Sequence, residues 1–239
     1  MNEDLKNRFN EDGFVVVKDL LKPSEIEFYR EVIKEAIKER KLLDERELKD
    51  KSIYEQSFIQ CQNLWEDYEE IRQLTFHQKI CEIAAYLLDE NAIRIWHDQA
   101  LVKESGGRET DPHHDQPYWP IKESKTITAW IPMCEVNENN GPLYTIKQKD
   151  PMNIFYRVKK EVNSGLRGER GKILDQNFNY LNSNNFENLS ILKGKPGTSM
   201  LIDSIRNYHK GGYCKSNYRL MLRINYMTND STYPIENLR

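Results

Sequence analysis

Pro112-His113-His114-Asp115-Gln116-Pro117-Tyr118-Trp119 sets an imidazole and a carboxylate two residues apart, and Tyr208-His209-Lys210 supplies another imidazole far downstream. The first segment reads as a strand, where alternate residues share a face, so His113 and Asp115 would project side by side. With His209 as third ligand, two histidines and one carboxylate would hold one triangular face of a metal and leave its other positions open. That is the ligand set of non-haem Fe(II) oxygenases. His114 has the opposite parity and should turn away from His113. His97 precedes the strand bearing Gln99 and suits packing or a place behind the metal. His77 falls in a helical pattern, where a structural role is the simpler reading.

The elements that must position these side chains are legible in outline. Gly13-Phe-Val-Val-Val17 reads as a first strand. A helix opens at Pro23-Ser24, with Ser24 and Glu27 placed as a capping box, and Ile26, Tyr29, Ile33 and Ala36/Ile37 form its buried stripe. Residues 38–52 mix charges of both signs and suit a solvated helix end and loop. A second amphipathic helix is expected from about Ile71 to Leu88, with Cys81 on its apolar face. From Ile93 the texture changes to short strands: Ile93–Trp96, Gln99–Lys103, Thr126–Pro132, Leu143–Ile146, Ser190–Leu192, Thr198–Ile202 and Arg219–Tyr226. Turn signals separate them at Ser105-Gly106-Gly107, Asn139-Asn140-Gly141, Gly194 to Gly197 and Gly211-Gly212. This pattern predicts a mainly β fold with flanking helices, a jelly-roll sheet core on which the helices pack. Residues 151–188 are long, polar and asparagine-rich, which suits a lid inserted in a single domain spanning 1–239.

Composition narrows the function classes. The 35 basic and 38 acidic residues leave a formal net charge of −3, with no basic stripe and no long charge block, so neither a nucleic-acid nor a membrane-surface footprint is expected. No stretch approaches the length of a membrane span, and the polar first dozen residues do not resemble a signal peptide, which points to a cytoplasmic protein. Cys61, Cys81, Cys134 and Cys214 are scattered without a CxxC pair, which argues against zinc-knuckle and redox motifs and for reduced thiols. Nothing in the sequence reads out an oligomeric state.

Taken in order, the motifs resemble the phytanoyl-CoA dioxygenase (PhyH-like) family of Fe(II)/2-oxoglutarate oxygenases. The resemblance runs through Phe9-Asn-Glu-Asp-Gly-Phe14, Leu21-Lys-Pro-Ser-Glu25 and Trp96-His-Asp-Gln-Ala-Leu-Val-Lys103. It continues through the His113–Trp119 segment, Thr128-Ala-Trp-Ile-Pro132 and Glu138-Asn-Asn-Gly141, and closes with His209 and Arg219-Leu-Met-Leu-Arg-Ile-Asn-Tyr226. It implies a double-stranded β-helix of the cupin-like kind, with Fe(II), 2-oxoglutarate and O2 as cofactor and co-substrates and a small molecule as substrate. His113, Asp115 and His209 would be the iron ligands. Arg219 would clamp the distal carboxylate of 2-oxoglutarate through parallel charge-assisted bonds, with Arg223 on the same parity as competitor. Gln99, Trp130 and Gln60 match positions lining the co-substrate pocket, and Tyr118 and Trp119 would face substrate or core. The implied reaction is hydroxylation or a related oxidation, because Asp115 stands where related halogenases carry a small residue.

The chain also departs from the family pattern. Lys147-Gln-Lys-Asp150 replaces the usual Gly-Ser-His turn, and Thr198 stands where aspartate is common. Neither removes a ligand, but both loosen any inference about the substrate. Arg167, Arg170 and Lys172 could attract an anionic molecule or simply be solvated. Two other readings of the same residues remain at this stage. One is a non-redox isomerase or hydrolase using Zn(II) or Mn(II) on the same barrel. The other is a non-catalytic sugar-binding jelly roll.

Overall fold

The computed structural model describes residues 3–41, 46–50, 59–110, 113–116, 119, 121, 125–146, 189–204 and 206–231. The expected lid at 151–188, and with it Arg167, Arg170 and Lys172, lies outside the described residues.

Two antiparallel sheets form the body of the molecule. The larger has the strand order β1-β7-β4-β9-β3-β2, and the smaller β6-β5-β8. Their members are β1 (Phe14–Val17), β2 (Ile59–Gln62), β3 (Ile93–Lys103), β4 (Thr126–Pro132), β5 (Leu143–Ile146), β6 (Leu189–Leu192), β7 (Ser199–Asp203), β8 (Tyr208–Gly211) and β9 (Arg219–Thr228). The helices are α1 (Glu3–Asp12), α2 (Pro23–Lys41), α3 (Leu64–Asp67), α4 (Glu69–Thr75) and α5 (Gln78–Leu88). None among the described residues is long and apolar enough to cross a membrane.

Strand alternation divides the large sheet between two cores. Ala100, Ile127, Ala129, Ile131, Leu201, Leu220, Leu222 and Ile224 pack with Ile26, Ile33, Leu74, Ile80 and Ala84 from the helices. The other face sends Phe14, Leu101, Trp130, Met200, Ile202 and Met221 toward Leu143 of the small sheet. Directly paired residues share a face, so this inner face carries successive rows across β3, β9 and β4. They are Lys103–Arg219, then Leu101–Met221–Pro132, then Gln99–Arg223–Trp130, then His97–Asn225–Thr128. An apolar row therefore separates one pair of basic residues from a third basic residue farther along the barrel.

Several local expectations are corrected. Helix α2 begins earlier than its capping motif suggested. Lys22 is the residue before the first turn: its carbonyl accepts from Ile26 N–H at 3.0 Å, and its N–H donates to Glu25 Oε2 at 2.7 Å. The Glu25 carboxylate thus caps the Lys22 N–H in place of the expected Ser24 and Glu27 pair, with Pro23 in the first helical position where its missing N–H costs nothing. The long second helix is two helices. At the break, the Thr75 carbonyl accepts from the Tyr226 hydroxyl and the Thr75 hydroxyl donates to Asp98, so the i to i−4 ladder is interrupted. Cys81 is only partly buried against the core rather than within it. Strands 93–96 and 99–103 are one strand, with a bulge at Trp96 that shifts the register between Ile95 and His97.

Candidate metal centre

The segment expected to be a strand at His113 is instead a single bridge. His113 and His209 lie directly opposite each other and exchange both backbone hydrogen bonds, at 2.9 and 3.0 Å. Such a pair projects its side chains to the same face, and the two imidazole centroids lie 4.5 Å apart. Beyond His113 the chain leaves β pairing. Gln116 N–H then donates to the Ser204 carbonyl at 3.1 Å, beside the end of β7. That anchor carries Asp115 back over the imidazoles: its Oδ1 is 3.5 Å from His113 Nε2 and 3.7 Å from His209 Nε2. One ligand atom from each of the three residues lies within 4.8 Å of the others.

The surroundings of Asp115 fix its orientation. Thr128 Oγ1 lies 3.0 Å from Oδ2, while Arg223 Nη1 approaches Oδ1 at 3.2 Å. Burial opposes its ionisation, but the charges of Arg223 and the neighbouring imidazoles outweigh burial and hold its carboxyl well below the usual carboxylate range. Burial also lowers His209 to about 4 against the opposing pull of Asp115, so its ring is neutral near pH 7. An ionised carboxylate and a neutral imidazole are the forms that bind a metal. The donor set and its spacing fit a divalent ion held on one face.

His114, of opposite parity, is buried with its ring 5.1 Å from that of Tyr208, and burial pushes it down to about 3. His97 sits on the inner face in the row of Thr128 and Asn225, its ring edge-on to Trp119 at 5.6 Å. His77 lies between α4 and α5, 3.7 Å from Glu25.

Arg219 and Arg223 share a face but not an environment. Arg219 lies in the buried row with Lys103, 4% exposed, its guanidinium over the Trp130 ring at 5.4 Å. Its Nη1 donates to the Gly141 carbonyl, while its Nε is buried with no hydrogen-bond partner. Burial lowers Arg219 only to about 10, so it keeps its charge. Lys103 is fully buried alongside, its ammonium donating to the carbonyls of Arg108 at 2.7 Å and Gly212 at 2.9 Å. Burial, reinforced by Arg219, lowers it to about 7. Gly141 makes this crowding possible, since a Cβ there would meet Lys103 Cδ at 2.7 Å and the Gly212 carbonyl at 2.9 Å, and its φ is +79°. An unpartnered guanidinium nitrogen beside a second basic group suits an incoming carboxylate. Gln99 is buried on the inner face in the row of Arg223 and Trp130, and Gln60 of β2 pairs with Leu101 on that same face.

Sequence reasoning gave no part to Thr128, Asn225 or Lys103, and cast Arg223 only as a rival of Arg219. Strand parity held the signal for all four, because each shares the inner face with Gln99 or Trp130.

Two sheets enclosing a buried basic row, with two imidazoles and a carboxylate gathered at one end, define a double-stranded β-helix protein with a candidate metal-ligand triad. The profile of the phytanoyl-CoA dioxygenase (PhyH) family matches residues 9–161, and the chain belongs to that family. His113 and Asp115 fall inside the match; His209 and Arg219 lie beyond it and are placed by the fold. No curated protein matches the sequence. Among solved structures, the non-haem α-ketoglutarate-dependent carbocyclase SnoK from nogalamycin biosynthesis is similar at 20% identity and TM-score 0.74, with 98% of this chain and 86% of that one covered. EctD from S. alaskensis, solved with 2-oxoglutarate and 5-hydroxyectoine, is similar at 15% identity and TM-score 0.71, covering 100% and 82%. AviO1 from Streptomyces viridochromogenes Tue57 is similar at 16% identity and TM-score 0.66, covering 98% of each chain.

Proposed function

We propose that this protein is an Fe(II)- and 2-oxoglutarate-dependent dioxygenase that oxidises a C–H bond of a small molecule, with hydroxylation as the favoured outcome. The observation carrying this reading is the convergence of His113, Asp115 and His209, with ligand atoms within 4.8 Å, on one face. Bound iron would supply oxygen activation, coupled to decarboxylation of 2-oxoglutarate to succinate and CO2.

The chain's own side chains supply orientation and charge. His113, Asp115 and His209 hold the metal, and Thr128 keeps the carboxylate turned toward it. Arg219, stacked on Trp130 with its Nε unpartnered, receives the distal carboxylate of the co-substrate. Gln99 and Gln60, on the same face, line its path. The apolar row of Leu101 and Met221 excludes water between clamp and metal, where charge–charge contacts gain strength. Asp115 fills the position that a halide would need, which favours oxygen insertion. Solved relatives of this fold include a carbocyclase and an epimerase, so ring closure or epimerisation at the same carbon is the neighbouring outcome. A nogalamycin compound in one relative and 5-hydroxyectoine in another support a free small molecule as substrate.

The test is anaerobic loading of purified protein with Fe(II), then exposure to oxygen with 2-oxoglutarate, following succinate. Slow iron-dependent succinate formation without substrate is expected. Its absence, together with no metal-dependent 2-oxoglutarate binding, would overturn the reading.

A further inference from the structure

The barrel interior is unbalanced in charge. Among the described residues, Lys103 and Arg219 are buried on the inner face and Arg223 stands on it beside the metal ligands. Of the buried carboxylates among the described residues, Asp98 faces the helices, where it accepts from Leu64, Trp65 and Thr75, and among them only Asp115 faces inward. A divalent metal and a dianionic 2-oxoglutarate cancel each other, which leaves these basic groups against one carboxylate. That carboxylate is then shared with the metal, because the oxygen nearest Arg223 is also the one nearest both imidazoles.

Arg223 is also incompletely satisfied. Its Nε donates to Asn225 Oδ1 at 3.1 Å and its Nη1 faces Asp115, while Nη2 makes no hydrogen bond to a described residue. The side chain is 15% exposed, unlike that of Arg219 in its sealed row. His97 lies one row farther along the inner face, and its Nε2 is buried without a partner. Trp119 joins them, with its ring 5.6 Å from the His97 ring and 6.0 Å from the Arg223 guanidinium. A cation, an unpartnered imidazole nitrogen and an indole thus surround one spot next to the metal face.

We propose that the substrate carries a carboxylate, received by Arg223 Nη2 and the His97 ring, with its hydrocarbon part against the Trp119 indole. This rests on the function proposed above and specifies its substrate class. A single guanidinium with one further donor matches a planar monoanion; a phosphate dianion would call for more than one cation. Anchored there, the carbon next to the carboxylate, or one or two bonds away, lies nearest the metal. Arg223 then regains the counter-charge that the metal takes from it.

Benzoate and its neutral isostere benzamide probe the subsite on protein loaded with Zn(II) and saturating 2-oxoglutarate, by ligand-detected NMR. The charged contacts predict benzoate binding with Kd on the order of tens of millimolar or tighter, and at least several-fold weaker benzamide. Arg223→Gln should abolish benzoate binding and His97→Leu, which leaves the Asp115 contact untouched, should weaken it several-fold. Equal binding of benzamide, benzoate binding that survives Arg223→Gln, tighter binding of phenyl phosphate, or no benzoate binding would each overturn the proposal. Titrating 2-oxoglutarate with and without metal before benzoate is added reads the co-substrate separately, so its failure is not confused with failure of this subsite.

Discussion

At the scale of single residues, the centre depends on side chains that play unequal parts. Replacing His113, Asp115 or His209 by alanine removes a proposed ligand atom, and each variant should lose iron-dependent succinate formation while keeping the wild-type circular dichroism spectrum. Near-wild-type turnover of Asp115→Ala, without added formate or halide, would contradict the triad. Thr128 touches the Asp115 carboxylate and is not itself a proposed ligand, so its proposed part is positioning. Thr128→Val should weaken Mn(II) binding by about 10–100-fold, the usual cost of losing a partner behind a ligand, whereas Thr128→Ser should restore it in calorimetry. The two arginines separate in the same way. Arg219→Lys should raise the 2-oxoglutarate Kd roughly ten- to a hundred-fold, the equivalent of about 1.5–3 kcal/mol for one charged hydrogen bond. Arg223→Lys should leave that constant much closer to wild type, since Arg223 faces Asp115 at 3.2 Å. Equal losses at both would retire the clamp assigned to Arg219.

At the scale of elements, the sequence revealed strands better than their junctions. β1, β4 and β5 stand where alternation and turn residues put them, and β7 and β9 differ only at their ends, because each carries a full hydrophobic face between glycine or asparagine turns. The short α3 escaped because four residues hardly exceed one helical turn, and β2 because Ile59-Gln-Cys-Gln62 has a single β-branched residue and no glycine or proline beside it. The break between α4 and α5 escaped for another reason: tertiary hydrogen bonds from Tyr226 and to Asp98 create it. Asp98 is the clearest case of information absent from local pattern. Its carboxylate accepts from Leu64 N–H at 2.8 Å and Trp65 N–H at 3.0 Å, starting α3, and from Thr75 Oγ1 at 3.1 Å, ending α4. Burial raises it to about 6 even though these donors favour the charged form. Because the folded value lies above the unfolded one, its contribution is complete below about pH 4 and is lost as pH rises through 6. Asp98→Asn keeps an acceptor and removes that titration. In urea unfolding, the stability of Asp98→Asn relative to wild type should therefore rise between pH 4 and 7, by on the order of 3 kcal/mol. A difference that stays flat with pH would mean the carboxylate titrates normally in the folded protein.

At the scale of the whole molecule, the proposed ligands bridge parts held by different sheets. His209 belongs to the small sheet through β8, Asp115 leans on Thr128 of the large sheet, and Arg219 opens β9 in the large sheet while contacting Gly141 just before β5. A metal joined to both imidazoles and Asp115, with 2-oxoglutarate reaching from it to Arg219, would tie the two sheets together at both ends of the apolar row. A ligand that binds only the folded state adds about 2.7 kcal/mol at a hundred times its Kd. For a chain of this length each kcal/mol raises the melting temperature by roughly 2–4 °C, so each ligand at that excess should add about 5–11 °C and the pair together about 11–22 °C. Mn(II) can replace iron in this measurement, which avoids turnover. Because Arg219 and the metal hold opposite ends of the same molecule, 2-oxoglutarate alone should give a shift well below the one it adds once Mn(II) is present. EDTA should reverse the combined shift, and Asp115→Ala should show neither part of it. If 2-oxoglutarate raises the melting temperature equally with and without metal, it binds away from the triad, and the geometry of Arg219 would need another ligand.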